Sequence, residues 1–149
     1  MNAAANLNSF EVGQSLPEMK KQITQEEINL YAKASKDFNP IHIDEKFARN
    51  TPLGGTVAHG MLVLAYVSQM MAKYFGRLWL TGGGLNVRFK APARPGDVLS
   101  IQGKILKIQK EFDQISIRCD ILCSNQKKEI VISGEAIVRI KNENPEVDH

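Results

Sequence analysis

The run from Gly60 to Phe75 constrains this chain more than any other feature. It reads as one long helix that Gly76 is placed to end. Its middle is apolar on every side: Met61, Leu62, Val63, Leu64, Ala65, Tyr66, Val67, Met70 and Met71. A helix without a polar face has to be enclosed by protein. The chain has 149 residues, enough for one domain and its core. In so small a domain only a sheet curling round the helix can enclose it. The apolar stretch contains Ser68 and Gln69 and is too short to span a bilayer, so no membrane segment is expected.

The second half of the chain supplies such a sheet. Segments 85–90, 98–108, 114–124 and 129–140 are rich in Val and Ile and partly alternate. Pro92, Pro95-Gly96-Asp97, 110–113 and 125–128 mark the turns between them. Strands in direct succession with tight connections pair antiparallel. The expected architecture is α+β: a curved antiparallel sheet wrapped round a long central helix, with further pairing from a short strand at 10–12. Residues 10–140 form the domain, and the polar segments 1–9 and 141–149 are expected to be loose and flexible.

An earlier helix begins at Thr24. Thr24 and Glu27 have capping-box spacing, Ile23 and Ile28 hold the staple positions, and Ile28, Tyr31, Ala32 and Ser35 make a buried stripe. The helix should stop near Lys36, before Asp37-Phe38-Asn39-Pro40-Ile41-His42. That run is expected to be non-helical, because Pro40 fixes its own φ and pushes Asn39 toward extended geometry. It sets an acid and an imidazole five residues apart on a rigid turn, which can hold one water between two proton-transfer groups. Such a pair suits adding or removing water across a double bond. A short helical turn over 44–49 should follow, with Asp44 as its cap.

The net charge is +3, from 19 basic and 16 acidic residues spread along the chain. No basic block is interleaved with aromatics, so nucleic acid is not an expected partner, while an anionic small molecule is compatible. The first ten residues lack a signal-peptide core. Cys119 and Cys123 fall on one face of a strand about two rungs apart, too far to bridge at ~3.3 Å per residue. They read as buried free thiols of a reducing, cytoplasmic compartment.

Asp37-Phe38-Asn39-Pro40-Ile41-His42, then His59-Gly60-Met61 and Ser68, in this order and spacing, resemble the (R)-specific enoyl-CoA hydratases of the MaoC-like group. The similarity runs from about Phe10 to Ile140. It implies a hot-dog fold, an acyl-CoA or acyl-carrier-protein thioester as substrate, and a homodimer with the acyl tunnel near the joint. It further implies that Asp37 and His42 share the catalytic water, that the Gly60 N–H receives the thioester oxygen, and that Ser68 supports the site from within the helix. Members often have Gly before the Asp, where this chain has Lys36.

Gly60 also has a physical argument. At the first turn of a buried helix its N–H is unpaired, and without a Cβ it lets an oxygen approach closely. The oxygen gains charge in an enolate-like transition state, and losing one comparable donor costs about 2.7–4 kcal/mol. The alternative is a glycine that merely starts a helix. His42 is the natural base, since imidazole titrates near neutral pH. Ser68 by itself suggests only a hydroxyl bonded to the carbonyl one turn back. His59 reads as orienting the turn. Gly82-Gly83-Gly84 precedes a strand rather than a helix, which makes it a bend or bulge rather than a phosphate cradle. Arg88, Lys90 and Arg94 are candidate contacts for coenzyme A phosphates, with solvent as their default.

Pro40 and the missing sixth-position Gly exclude a calcium loop. A zinc site from Asp37, His42 and His59 lacks the usual short His spacing and a strong third ligand nearby. No metal or cofactor is therefore expected, coenzyme A being part of the substrate. The expected activity is hydration of trans-2-enoyl-CoA to the (R)-3-hydroxyacyl-CoA, or its reverse. Two alternatives share the fold: a non-catalytic acyl-CoA-binding protein, which retention of Asp37 and His42 argues against, and a thioesterase, which would need a carboxylate nucleophile in the long helix.

Overall fold

A computed structural model describes residues 7–141. Of the segments expected to be loose, 1–6 and 142–149 lie outside the described residues. Leu7–Ser9 forms a single 3-10 turn, with Leu7 packed against the core. Phe10 also packs there, its ring 5.2 Å from that of Phe75. The strand expected at 10–12 does not form. Gly13 N–H and Leu16 N–H instead donate to Ile105 and Gly103, and the first strand, β1, is Met19–Gln22. Its Met-Lys-Lys-Gln sequence has little strand propensity, so the pairing comes from tertiary context.

Helix α1 spans Gln25–Ser35. Thr24 Oγ1 accepts from Glu27 N–H at 3.2 Å, and Ile23 and Ile28 are both buried. The Glu27 side chain does not complete a capping box within the helix. Its carboxylate receives Lys21 Nζ at 2.6 Å and the Tyr66 hydroxyl at 3.2 Å, tying β1 and α1 to the central helix. Lys36 caps α1 in the left-handed region, at φ 64°.

Two short helices follow, α2 at Pro40–Ile43 and α3 at Glu45–Arg49. The first overturns the expectation that the Asp37–His42 run contains no helix. Proline cannot continue a helix but can begin one, because its fixed φ suits the first helical position and its missing N–H is not needed there. Asn39 Oδ1 caps the turn through Ile41 N–H at 3.2 Å.

Helix α4 spans Gly60–Phe75, and α5, at Arg77–Gly82, follows directly through Gly76. Strands β2 (Gly83–Phe89), β3 (Val98–Lys110), β4 (Gln114–Ser124) and β5 (Ile130–Lys141) complete an antiparallel sheet in the order β1-β3-β4-β5-β2. Alternate residues of β4, namely Ile115, Ile117, Cys119, Ile121 and Cys123, are buried in the same core as Val63, Val67, Met70 and Met71 of α4. Truncating a core residue such as Met71 to Ala costs ~2–5 kcal/mol.

The glycine triplet is not a bulge. A Cβ on Gly82 would collide with the Arg139 carbonyl, and one on Gly83 with Trp79, so the glycines let α5 run into an edge strand at close range. The register shifts occur elsewhere, between Ile105 and Lys107 and between Cys123 and Ser124.

The described residues do not enclose α4 completely. Met61 is 57% exposed, Ala65 and Gln69 are exposed, and Leu64, Ser68 and Ala72 are half-buried. These positions share one helical stripe.

Candidate active site

The left-handed turn at Lys36 ends α1 and sends the chain into Asp37. Asp37 Oδ1 accepts from Asn39 N–H at 3.2 Å, an Asx turn that leads into the proline-started α2. One turn of helix brings His42 back toward the acid, with Nε2 3.9 Å from Asp37 Oδ2. That gap is too long for a direct hydrogen bond and is wide enough for one water oxygen to stand at about 2.8 Å from each atom. The two groups differ in surroundings: the His42 side chain is 11% exposed and that of Asp37 53%.

His42 Nδ1 lies 2.7 Å from the Val57 carbonyl oxygen. A carbonyl only accepts, so Nδ1 bears the proton, and in the neutral ring Nε2 keeps a free lone pair facing Asp37. His59, 3% exposed, donates from Nε2–H to the Asp37 carbonyl at 3.0 Å. Its ring stacks on His42 with centroids 3.8 Å apart, and Tyr31 contacts it from 4.8 Å. Among the described residues, His59 Nδ1 is buried without a hydrogen-bond partner.

The next residue, Gly60, opens α4. Leu62 N–H and Val63 N–H bond to the His59 carbonyl, while the N-cap makes no side-chain bond. Helix geometry leaves the first amides unpaired with the positive end of the dipole behind them. A Cβ at Gly60 would stand 3.0 Å from the Phe89 ring. Gly60 and Phe89 line a cleft of about 280 Å³ together with Val63, Lys90, Ala93 and Val131.

The structure thus groups Asp37, His42, His59 and Gly60, and sets Ser68 apart. Ser68 lies eight positions after Gly60, roughly 12 Å along the helix at ~1.5 Å per residue. Its Oγ accepts from the Trp79 indole N–H at 2.9 Å, in place of the intrahelical bond expected of it. Of the three candidate phosphate contacts, Arg88 and Lys90 are exposed and Arg94 is half-buried. Asp37, His42 and His59 offer ligand atoms within 4.8 Å of one another. One nitrogen of each histidine is already committed to a carbonyl, and in-plane lone pairs on stacked rings run side by side rather than converge. The cluster suits proton transfer better than ion binding. Sequence reasoning missed Val57, which acts through a backbone carbonyl and carries no side-chain signal, and Phe89, which meets Gly60 only through the fold.

Residues 9–123 match the family model of the MaoC like domain. The chain belongs to that family. Among MaoC-like relatives, the (R)-specific enoyl-CoA hydratase of Aeromonas caviae is 27% identical over 89% of this chain and 96% of its own length. The 3-hydroxybutyryl-CoA dehydratase of Methylorubrum extorquens is 27% identical over 82% of this chain and 76% of its own. The solved structure of an R-hydratase from Pseudomonas aeruginosa superposes with a TM-score of 0.77 at 28% identity, covering 95% of this chain and 92% of that one. The fold is the hot-dog fold. Among the described residues of this MaoC-like chain, no helix is long and apolar enough to cross a membrane.

Proposed function

We propose that this MaoC-like protein hydrates trans-2-enoyl-CoA reversibly to (R)-3-hydroxyacyl-CoA. The observation that carries the reading is the His42–Asp37 gap of 3.9 Å, with the His42 lone pair directed into it by the Val57 carbonyl. His42 Nε2 takes a proton from the water held there as the water oxygen bonds to C3. Charge from the double bond collects on the thioester oxygen, where the Gly60 amide stabilises it. The proton then returns to C2 from the same face, which gives syn addition and restores both side chains. Asp37 orients the water. The names of the relatives support this class of chemistry. The same steps apply to an acyl-carrier-protein thioester, whose reacting atoms are identical.

The half-open α4 stripe supports a homodimer, since a second copy would cover it. The two free, buried cysteines, Cys119 and Cys123, support a cytoplasmic location.

The test is one assay with crotonyl-CoA. Loss of the conjugated thioester absorbance without release of free thiol is the expected result. Thiol release would identify a thioesterase. Tight binding with neither change would identify a binding protein.

A further inference from the structure

His42 is held at two points, and one polar cluster, built on buried Thr56 and half-buried Gln25, reaches both. Its Nδ1–H donates to the Val57 carbonyl at 2.7 Å, and its own carbonyl accepts from Gln25 Nε2 at 2.7 Å. Gln25 Oε1 in turn accepts from the Thr56 hydroxyl at 2.8 Å, and Thr56 is covalently joined to Val57. These links close a ring from the imidazole through Val57, Thr56 and Gln25 back to the His42 main chain. Thr56 is only 4% exposed. Its N–H donates to Glu45 Oε2 at 3.0 Å, and Arg49 Nε holds the other oxygen of that carboxylate at 3.0 Å. The Thr56 hydroxyl also lies 3.0 Å from Glu45 Oε2, so its proton is shared between two acceptors. Val57 N–H donates to the Ile41 carbonyl at 3.1 Å, fastening the same loop to α2.

We infer that Thr56 and Gln25 are positioning residues for His42, setting its tautomer and its ring direction through the Val57 carbonyl. A loop carbonyl swings easily unless its neighbours are tied down. If the Val57 oxygen turns away, Nδ1–H loses its partner, the proton gains access to Nε2, and the lone pair facing Asp37 is lost. Thr56 fixes the residue before the one that carries this oxygen, whose own peptide is held by Ala58 N–H on the Ala93 carbonyl at 2.8 Å, and Gln25 fixes that segment relative to the His42 backbone. Polar networks of this kind act as a unit only when each member is satisfied. Orientation errors on the order of 1 Å cost about 10²-fold in rate. The catalytic meaning of the cluster rests on the proposed hydration, whereas its effect on the tautomer does not.

The experiment compares wild type, Thr56→Val, Thr56→Ser and Gln25→Ala with two readouts. The first is crotonyl-CoA turnover per folded molecule. Thr56→Val and Gln25→Ala should each lower kcat roughly 10–100-fold, the range typical of residues that orient a histidine from behind. KM should change by less than about 3-fold, and Thr56→Ser should recover most of kcat. The second readout is the ¹⁵N pattern of the His42 imidazole at pH 8. It should report a protonated Nδ1 in wild type and in Thr56→Ser, and a mixture of tautomers in Thr56→Val and Gln25→Ala.

A wild type without turnover would remove the hydration reading, and the ¹⁵N pattern would still decide the role of the cluster. Variants with an unchanged tautomer pattern overturn the inference, even if they melt at lower temperature. Should Thr56→Val fail to fold, Gln25→Ala, which changes a half-buried residue at the start of α1, decides the same question.

Discussion

The ring of His59 lies face to face with that of His42, with centroids 3.8 Å apart and planes 27° from parallel. Because His59 also donates to the Asp37 carbonyl, one buried residue touches both halves of the candidate acid–base pair. His59 therefore links Asp37 and His42 into a single mechanical unit.

Asp37→Asn and His42→Ala should each remove most turnover while the fold persists, by ~10²–10⁴-fold for each proton-transfer group. On the proposed mechanism, in which both groups act on one water, the double variant should lose far less than the product of the two effects. Steady-state kinetics with circular dichroism as the folding control provides the check. A single variant near wild-type turnover would remove the assignment.

Ser68→Ala should weaken stability more than activity. The Ser68 hydroxyl accepts from the indole of Trp79, which is 7% exposed, and removing it strands a buried donor at about 1–3 kcal/mol. In thermal melts the cost of Ser68→Ala should largely vanish in a Trp79→Phe background. A steep loss of turnover at constant stability would show instead that the hydroxyl serves the substrate.

Lys36→Gly should stabilise the protein. At φ 64° the lysine Cβ crowds the following carbonyl at a cost of ~1–2 kcal/mol, and the extra chain entropy of glycine offsets roughly half of that. A net gain of about 0.5–1 kcal/mol raises Tm by roughly 2–3 °C. An unchanged or lower melting temperature would mean that the lysine side chain contributes something the strain conceals.

Burial pushes the thiols of Cys119 and Cys123 up to about 12, from an ordinary value of 9.0. Thiolate is the reactive form, so native protein at pH 8 should resist iodoacetamide and become labelled only on unfolding. Between pH 9 and 12 the unfolded chain releases these protons while the folded chain retains them, so the two thiols favour folding below pH 9. That contribution is lost as pH rises toward 12. Urea midpoints measured across this range should decline.

The open stripe of α4 predicts assembly. Light scattering should give twice the 16.6 kDa chain mass, and Ala65→Arg, on the exposed part of the stripe, should shift the protein toward monomer with reduced specific activity. Full activity in a species of 16.6 kDa would defeat the proposed homodimer as the active form.

Much of the fold was legible because it rests on periodicity. The apolar helix 60–75 and the four Val- and Ile-rich strands signal themselves through local spacing. Strand β1 does not, since Met-Lys-Lys-Gln pairs only because β3 offers an edge. The α2 turn was hidden by Pro40, which forbids continuing a helix and favours starting one. Asp37, His42 and Gly60 stood out by residue type and spacing. Thr56 and Gln25 did not, because they lie 31 positions apart and join only when α1 docks against the loop before α4. The Ser68 partner was equally remote from any local pattern.

The order of the sheet sets a hazard during synthesis. Strands β3, β4 and β5 are consecutive and come last, while α4 is complete well before them. At ~5–20 residues per second, the segment needed to cover the helix takes several seconds to emerge. Leu62, Val63, Val67 and Met70 spend that interval without their sheet. A nascent chain halted before β5 would already hold Asp37, His42 and Gly60, and its bare helix would drive it into aggregates.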